Sequence, residues 1–357
     1  MTSVPRVLLV SPGYPPSLGG VEGHVAGLAT NLVELGWQVE VLTARRGVRG
    51  VQHEDRGGVQ VTVLPAWSLK SMSVAPRLLW RALRTSGDYD VVHVHSYHAL
   101  TGLAALRRRG RLVFTPHFHG GGHSRFAKLL HRGFHLLGRR CFENANEVIC
   151  VSAAERELLI GQYPETANKI TVIPNGVNVD SVHAAEPFAT TEPVVLSLGR
   201  VEPYKNVTGL VQAFRGLETG AKLVILGSGS ALDDVRAEAS DDSRVQVIGA
   251  VSDEEVNRWL RTAAVLVSLS EHEAFGMAPL EAAAGGARLV LSDIAAHREI
   301  TDAYLSDRAE LVTATNLTEV TTAISAALTG PKLGPAVVPS WRDVAEATAA
   351  VYRGDQP

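Results

Sequence analysis

With 357 residues, 45% of them hydrophobic and 20% charged, the chain has apolar material for about two ordinary globular domains, which excludes wholesale disorder. Its 34 Lys and Arg against 37 Asp and Glu leave a formal charge of -3, the wrong balance for a dedicated nucleic-acid binder. Two cysteines, Cys141 and Cys150, cannot staple a disulfide scaffold, and no apolar run approaches the roughly 18 residues that span a bilayer.

The expectation is a cytoplasmic enzyme with reduced core thiols. Its first residues form one short strand ended by Pro12-Gly13, with no signal-peptide core. Val7-Leu8-Leu9-Val10 is too short for a helix and reads as a strand buried on both faces. After the loop Ser11–Gly20, the positions Val21, Val25, Leu28, Leu32 and Leu35 recur every three or four residues, and Gly36 stops the helix they predict. Val39–Leu42, Val59–Leu64, Val91–His95, Leu112–Thr115, Val148–Val151 and Ile170–Ile173 continue the strands. Alternating strands and helices predict right-handed crossovers and a parallel sheet covered on both faces.

The stretch Asp180–Pro193 shows no clear period, and the same grammar restarts at Val194–Leu198. It continues through Leu223–Leu226, Val245–Ile248, Val265–Leu269 and Leu289–Leu291. The predicted organisation is therefore α/β, with two doubly wound Rossmann-like domains at 1–180 and 181–339 and a final helix within 340–357. Open parallel sheets bind ligands beyond the carboxyl ends of their strands, so the active site is expected in a cleft that the two domains face.

The most specific stretch runs from Glu271 to Glu281, directly after the strand Val265–Leu269. Pro279 suits the first turn of a helix, and Gly276 permits a tight turn before it. The amides of Gly276, Met277 and Ala278 then become donors for a phosphate. Glu273 in the loop and Glu281 in the helix are acceptors for vicinal hydroxyls; the plainer reading makes them a solvated loop residue and a helix-dipole partner. Arg200 and Lys205, after the strand Val194–Leu198, form a cationic pair suited to a diphosphate. In the first domain, Gly19-Gly20 opens a helix and allows close backbone approach to phosphate or sugar.

In this order the residues resemble the retaining nucleotide-sugar glycosyltransferases of family 4, which have the GT-B fold. The likeness rests on Gly19-Gly20, Thr115-Pro116-His117, Ile173-Pro174-Asn175-Gly176-Val177, Gly199-Arg200 with Lys205, and two glutamates, Glu273 and Glu281, separated by seven residues that include Phe275-Gly276. Ser340-Trp341 and Tyr352-Arg353 look like the family's last helix, which crosses back to the first domain. The resemblance implies that Arg200 and Lys205 hold the donor diphosphate and that Glu281 accepts from the ribose. Glu273, with the backbone of Phe275 and Gly276, would face the transferred sugar. Gly20 would approach the distal phosphate, His117 would lie beside the reaction centre, and Ala250-Val251 would contact the base.

Two departures stand out. Arg288-Leu289-Val290 replaces the family's usual Pro-Val-Val, and Ala295-Ala296-His297-Arg298 precedes Glu299 where a glycine-rich loop is common.

The expected reaction is transfer of a hexose from a nucleoside-diphosphate sugar, uridine before guanosine, to an acceptor hydroxyl with retention of configuration. The acceptor is a lipid- or phosphate-bearing glycan precursor or a small natural product. No metal or resident cofactor is expected, since no Asp-x-Asp stands beside the diphosphate residues. A nucleotide-sugar epimerase and a non-catalytic sugar-binding protein are the alternatives. A dehydrogenase, prompted by Gly227-Ser228-Gly229, lacks its third glycine because Leu232 stands there.

Among 13 histidines, His117-x-His119-x-x-x-His123 lacks thiolates or a helical pair, and reads as acceptor-pocket or packed histidines rather than zinc ligands. Between Arg77 and Arg140 there are 12 basic residues against Asp88 and Asp90. Within that span the amphipathic stretch 125–140 is either a solvated cationic face or a dock for anionic lipid at the inner face of the membrane.

Overall fold

The structure, a computed structural model, describes residues 4–17, 19–69, 72–85, 88–97, 99–106, 110–118, 136–331 and 333–355. Strand β1 (Arg6–Val10) lies between β2 (Gln38–Arg46) and β6 (Val91–His95), parallel to both. That central position buries both of its faces: Val7, Leu8, Leu9 and Val10 are each 1% exposed or less. β7 (Arg111–Thr115), β8 (Glu147–Cys150) and β9 (Ile170–Val172) extend the parallel sheet on one side. On the other side β4 (Val59–Leu69) runs parallel to β2, and β3 (Gln52–Arg56) and β5 (Met72–Val74) pair antiparallel with β4. The strand order is β3-β4-β2-β1-β6-β7-β8-β9.

Alternation along β1 feeds two cores. Leu8 and Val10 pack with Leu42, Val92, Phe114 and Phe142 on one face. Val7 and Leu9 pack on the other with Val25, Leu28 and Leu32 of the helix Gly20–Glu34 and with Val344, Ala345, Val351 and Tyr352 of the helix Trp341–Arg353. The latter helix begins with a capping box, Ser340 and Asp343 each bonding the other's backbone amide, and ends at Gly354 in the left-handed region. Trp341 lies so close to Gly27 that a Cβ there would strike its indole.

The second sheet has the order β12-β11-β10-β13-β14-β15 and is parallel throughout. Its strands are β10 (Val194–Leu198), β11 (Lys222–Leu226), β12 (Val245–Gly249), β13 (Val265–Ser268), β14 (Arg288–Ser292) and β15 (Ala309–Val312). Its strand order reverses between β10 and β13, the place where open α/β sheets take ligands at the strands' carboxyl ends.

The chain divides into one unit of residues 1–176 with 339–357 and a second of 177–338. The expected division fell at 180 because the helix Val179–Ala184, only 6 residues long, is too short to show a period. Three strands went unforeseen: β3, β5 and β15. β3 is Gln-His-Glu-Asp-Arg on the sheet edge, with no apolar residue to betray it. Both cysteines are free and buried. Among the described residues no helix is long and apolar enough to cross a membrane.

Candidate functional site

In the second unit, the loops after β10 and β13 meet at the switch point. The amide of Glu271 donates to the carbonyl of Tyr204 at 2.8 Å, stitching one loop to the other. Lys205 and Glu273 form an ion pair across the same seam, both largely sheltered. Ser270 Oγ donates to Glu273 Oε1 at 2.8 Å. Arg200 donates to the Tyr204 hydroxyl at 2.6 Å. The Tyr204 ring also serves both cations, with the Arg200 guanidinium 5.8 Å and the Lys205 ammonium 5.5 Å from its centroid. His272 stacks on that ring at 4.3 Å. Arg200, Lys205 and Glu273, drawn from two separate loops, thus gather around one aromatic platform. Arg200 is exposed, so its charge faces water.

Glu273 leads into the helix Met277–Ala284, whose cap Gly276 has φ 106 and supplies no side-chain acceptor. Only glycine holds that backbone without strain, and a Cβ there would lie 3.1 Å from Ile300 Cδ1. First-turn amides have no partner inside their own helix, so Met277 and Ala278 can donate outward, while Pro279 has no amide proton to lose. Phe275 beside them is buried and anchors the turn.

Glu281, one turn on, is partly buried. Burial, with the charge of Asp253 second, pushes its carboxyl up to about 7. Asp253 opens the helix that follows Ala250 and Val251 at the end of β12, so the loop expected to meet the base lies near Glu281.

His297 is fully buried beside Gly276. Its Nδ1 donates to the Ser292 carbonyl at 2.9 Å, and the Ser292 hydroxyl donates to the Ser270 carbonyl at 2.6 Å. This chain braces the loop that carries Glu273. Sequence reasoning gave no role to Tyr204, Ser270, His272 or His297. Tyr204 was the legible one, an aromatic residue between two cations in a loop.

Gly227 and Gly229, which prompted the dehydrogenase reading, are required by packing. A Cβ at Gly227 would collide with the Gly199 carbonyl, and one at Gly229 with the Val201 carbonyl. The amide of Val201 donates to the Ser228 carbonyl at 3.0 Å. The glycines let two strand-end loops touch and hold the segment carrying Arg200.

In the first unit, Gly20 begins the helix Gly20–Glu34 with open space over its Cα. The Glu22 carboxylate packs over Gly13 and Gly19, so this helix start already has a negative group beside it. His117 follows β7 with φ 48, a left-handed backbone that is uncommon for a non-glycine residue. Its ring lies 4.9 Å from that of His24 and 5.8 Å from that of His95. His93 lies behind His95, with its nitrogens 2.7 Å from the Tyr352 hydroxyl and 2.7 Å from Thr115 Oγ1. Burial lowers His24 to about 4 and holds His93 and His95 below the ordinary imidazole range. His119 and His123, and most of the basic stretch 125–140, lie outside the described residues.

Two open, largely parallel α/β sheets of this order are the architecture of the GT-B fold. Sucrose-phosphate synthase from Thermosynechococcus elongatus has the same fold, with a TM-score of 0.80 over 98% of both chains at 19% identity. The model of Glycosyltransferase Family 4 matches residues 18–181, and that of Glycosyl transferases group 1 matches residues 178–336. The chain belongs to the family 4 type of glycosyltransferase. It is 28% identical to the GDP-mannose:cellobiosyl-diphosphopolyprenol alpha-mannosyltransferase of Komagataeibacter xylinus, with 81% of this chain and 76% of that protein covered. It is 26% identical to the phosphatidylinositol N-acetylglucosaminyltransferase GPI3 subunit of Saccharomyces cerevisiae, with 95% and 80% covered.

Proposed function

We propose that the protein moves a hexose from a nucleoside-diphosphate sugar, UDP-linked before GDP-linked, to an acceptor hydroxyl with retention of configuration. The observation that carries this reading is the seam between the β10 and β13 loops. There Arg200 and Lys205 flank one tyrosine ring, and Glu273 runs straight into a helix start whose first-turn amides have no partner inside their own helix and no side-chain cap.

The chemistry follows from charge. As the bond from the anomeric carbon to the diphosphate breaks, negative charge grows on the leaving oxygen and positive charge on the sugar. Arg200 and Lys205 are fixed cations for the former, and preorganised charge of this kind is commonly the largest catalytic contribution. Glu273 holds Lys205 in place before the donor arrives and faces the sugar afterwards, with the backbone of Phe275 and Gly276. The amides of Met277 and Ala278 add donors. Glu281 accepts from the ribose hydroxyls, and Val251 borders the base.

In the first unit, Gly20 and His117 serve the sugar end. The acceptor hydroxyl attacks the face the diphosphate leaves, and its proton passes to the departing phosphate oxygen. No metal is required for these steps.

The acceptor is a lipid- or phosphate-bearing glycan precursor. Relatives named for phosphatidylinositol and diphosphopolyprenol substrates support this. So does the helix Pro76–Thr85, where Arg77, Trp80 and Arg84 are exposed and the Arg84 guanidinium lies 4.3 Å over the Trp80 ring. Pelleting with anionic vesicles, lost in moderate salt, is the expected behaviour; no pelleting at low salt removes the lipid surface from the proposal.

The donor is tested by a thermal-shift screen over sugar nucleotides, in which a selective ligand raises the unfolding temperature. Arg200→Ala and Lys205→Ala are each expected to lower kcat about 100- to 1000-fold. Full turnover in both variants defeats the assignment, and a product of inverted anomeric configuration by proton NMR defeats retention.

A further inference from the structure

Beside His117, the first unit buries a carboxylate that no step of the transfer uses. Glu155 stands in the first turn of the helix Ala153–Gln162 and is 1% exposed. Its own amide donates to Ser152 Oγ at 2.9 Å, the N-cap bond of that helix. In a capping box, a glutamate at this place turns back to the amide of the cap residue. Here the carboxylate serves two loops: Oε2 accepts from the Val151 amide at 2.6 Å, and Oε1 accepts from the Phe118 amide. Val151 follows β8 and Phe118 lies beyond β7, so one side chain joins two strand ends.

We propose that Glu155 is the positioning residue for His117, fixing the backbone that aims its imidazole; the inference rests on the reading of His117 as a sugar-end residue. The Phe118 amide belongs to the peptide that follows His117, so gripping it fixes the ψ of His117. That residue has φ 48, and Ser96 at the end of β6 is left-handed too, with φ 73. Non-glycine residues keep such angles only where their surroundings over-determine them. The surroundings do so from both sides. The Ser96 amide donates to the Thr115 carbonyl at 3.0 Å and the Tyr97 amide to the Pro116 carbonyl at 2.7 Å, which ties the turn to the end of β6. Glu155 closes the other side, from the end of β8.

A carboxylate suits this task better than a neutral acceptor. It offers one oxygen to each amide, its bonds are shorter and stronger than those of a neutral group, and the first turn of a helix favours its charge. Bonded through both oxygens, it cannot rotate without breaking a bond. A glutamine keeps the shape but sets an NH2 group against one of the two amides, donor facing donor.

The test uses the full chain and two readouts. In histidine side-chain NMR, the signals of His117, identified by their loss in His117→Ala, are expected to move in Glu155→Gln while circular dichroism shows a folded chain. Turnover is followed as release of UDP from UDP-glucose or of GDP from GDP-mannose. There Glu155→Gln is expected to lower kcat about 10- to 100-fold with donor KM unchanged. In the His117→Ala background the same substitution costs no further rate, because the two residues act as one. Glu155→Asp, which keeps the charge but withdraws it by one methylene, carries the same test if Glu155→Gln does not fold. Unmoved His117 signals in a folded Glu155 variant overturn the proposal, and so does an equal loss of kcat with and without the His117 side chain. A loss confined to donor KM also overturns it. Full turnover in His117→Ala is a separate failure: it removes the sugar-end reading of His117, and the positioning role with it.

Discussion

Glu281 sits where burial and the charge of Asp253 resist its ionisation, raising it from 4.5 to about 7. Between those values the folded chain holds a proton that the unfolded chain has released, so this group's stabilisation fades as pH rises through that window. Glu281→Gln is therefore expected to raise stability above pH 7, by roughly 1–3 kcal/mol, while donor KM also rises because a carboxylate acceptor for the ribose is gone. Calorimetry and donor saturation curves check the two effects separately; a stabilised variant with unchanged KM removes Glu281 from the nucleotide site.

The buried histidines have the opposite sign. His24 falls from 6.5 to about 4, and His93 and His95 are also lowered, burial being the first cause in each. The unfolded chain then binds protons that the folded one refuses, so stability drops as pH falls from 6.5 toward 4. Thermal unfolding across that range should show the loss, and His24→Gln should make the slope shallower.

At the scale of elements, the turn into the helix Met277–Ala284 depends on one backbone angle. Gly276→Ala places a side chain at φ 106 and 3.1 Å from Ile300 Cδ1, at a cost of about 1–3 kcal/mol. Donor affinity should fall as well, because the amides of the first turn move with the cap; unfolding curves and donor titration together check this. The helix Trp341–Arg353 is anchored by a buried hydroxyl contact, Tyr352 to His93. Tyr352→Phe leaves that imidazole nitrogen unpaired and should cost about 1–3 kcal/mol, read by denaturant unfolding.

Strands buried on both faces were legible, because an apolar run such as Val7–Val10 has no polar residue to mislead. β3 was not, since an edge strand of polar residues needs only β4 beside it. The glutamates at 273 and 281 were legible because their turn lies within one stretch of chain. The packing of His24, His95 and His117 against one another was hidden, because contact between separate elements leaves no spacing to read.

For the whole molecule, the two units divide the work unequally between continuous and discontinuous chain. Residues 177–338 form the second unit as one stretch, whereas the first takes residues 1–176 and 339–357. Hydrogen exchange on the full chain should therefore show donor-induced protection concentrated at 199–206 and 270–281, where the β10 and β13 loops meet. Protection confined to the first unit would contradict the donor assignment.

Residues 339–357 also leave the ribosome after the whole of the second unit. Until they emerge, Val25, Leu28 and Leu32 lack the neighbours that Val344, Ala345 and Tyr352 supply, however long residues 177–338 have been out and collapsing. Any nascent chain released early presents a bare greasy flank to the cell's chaperones and proteases. Only a polypeptide translated through the helix Trp341–Arg353 covers the half that was made earlier.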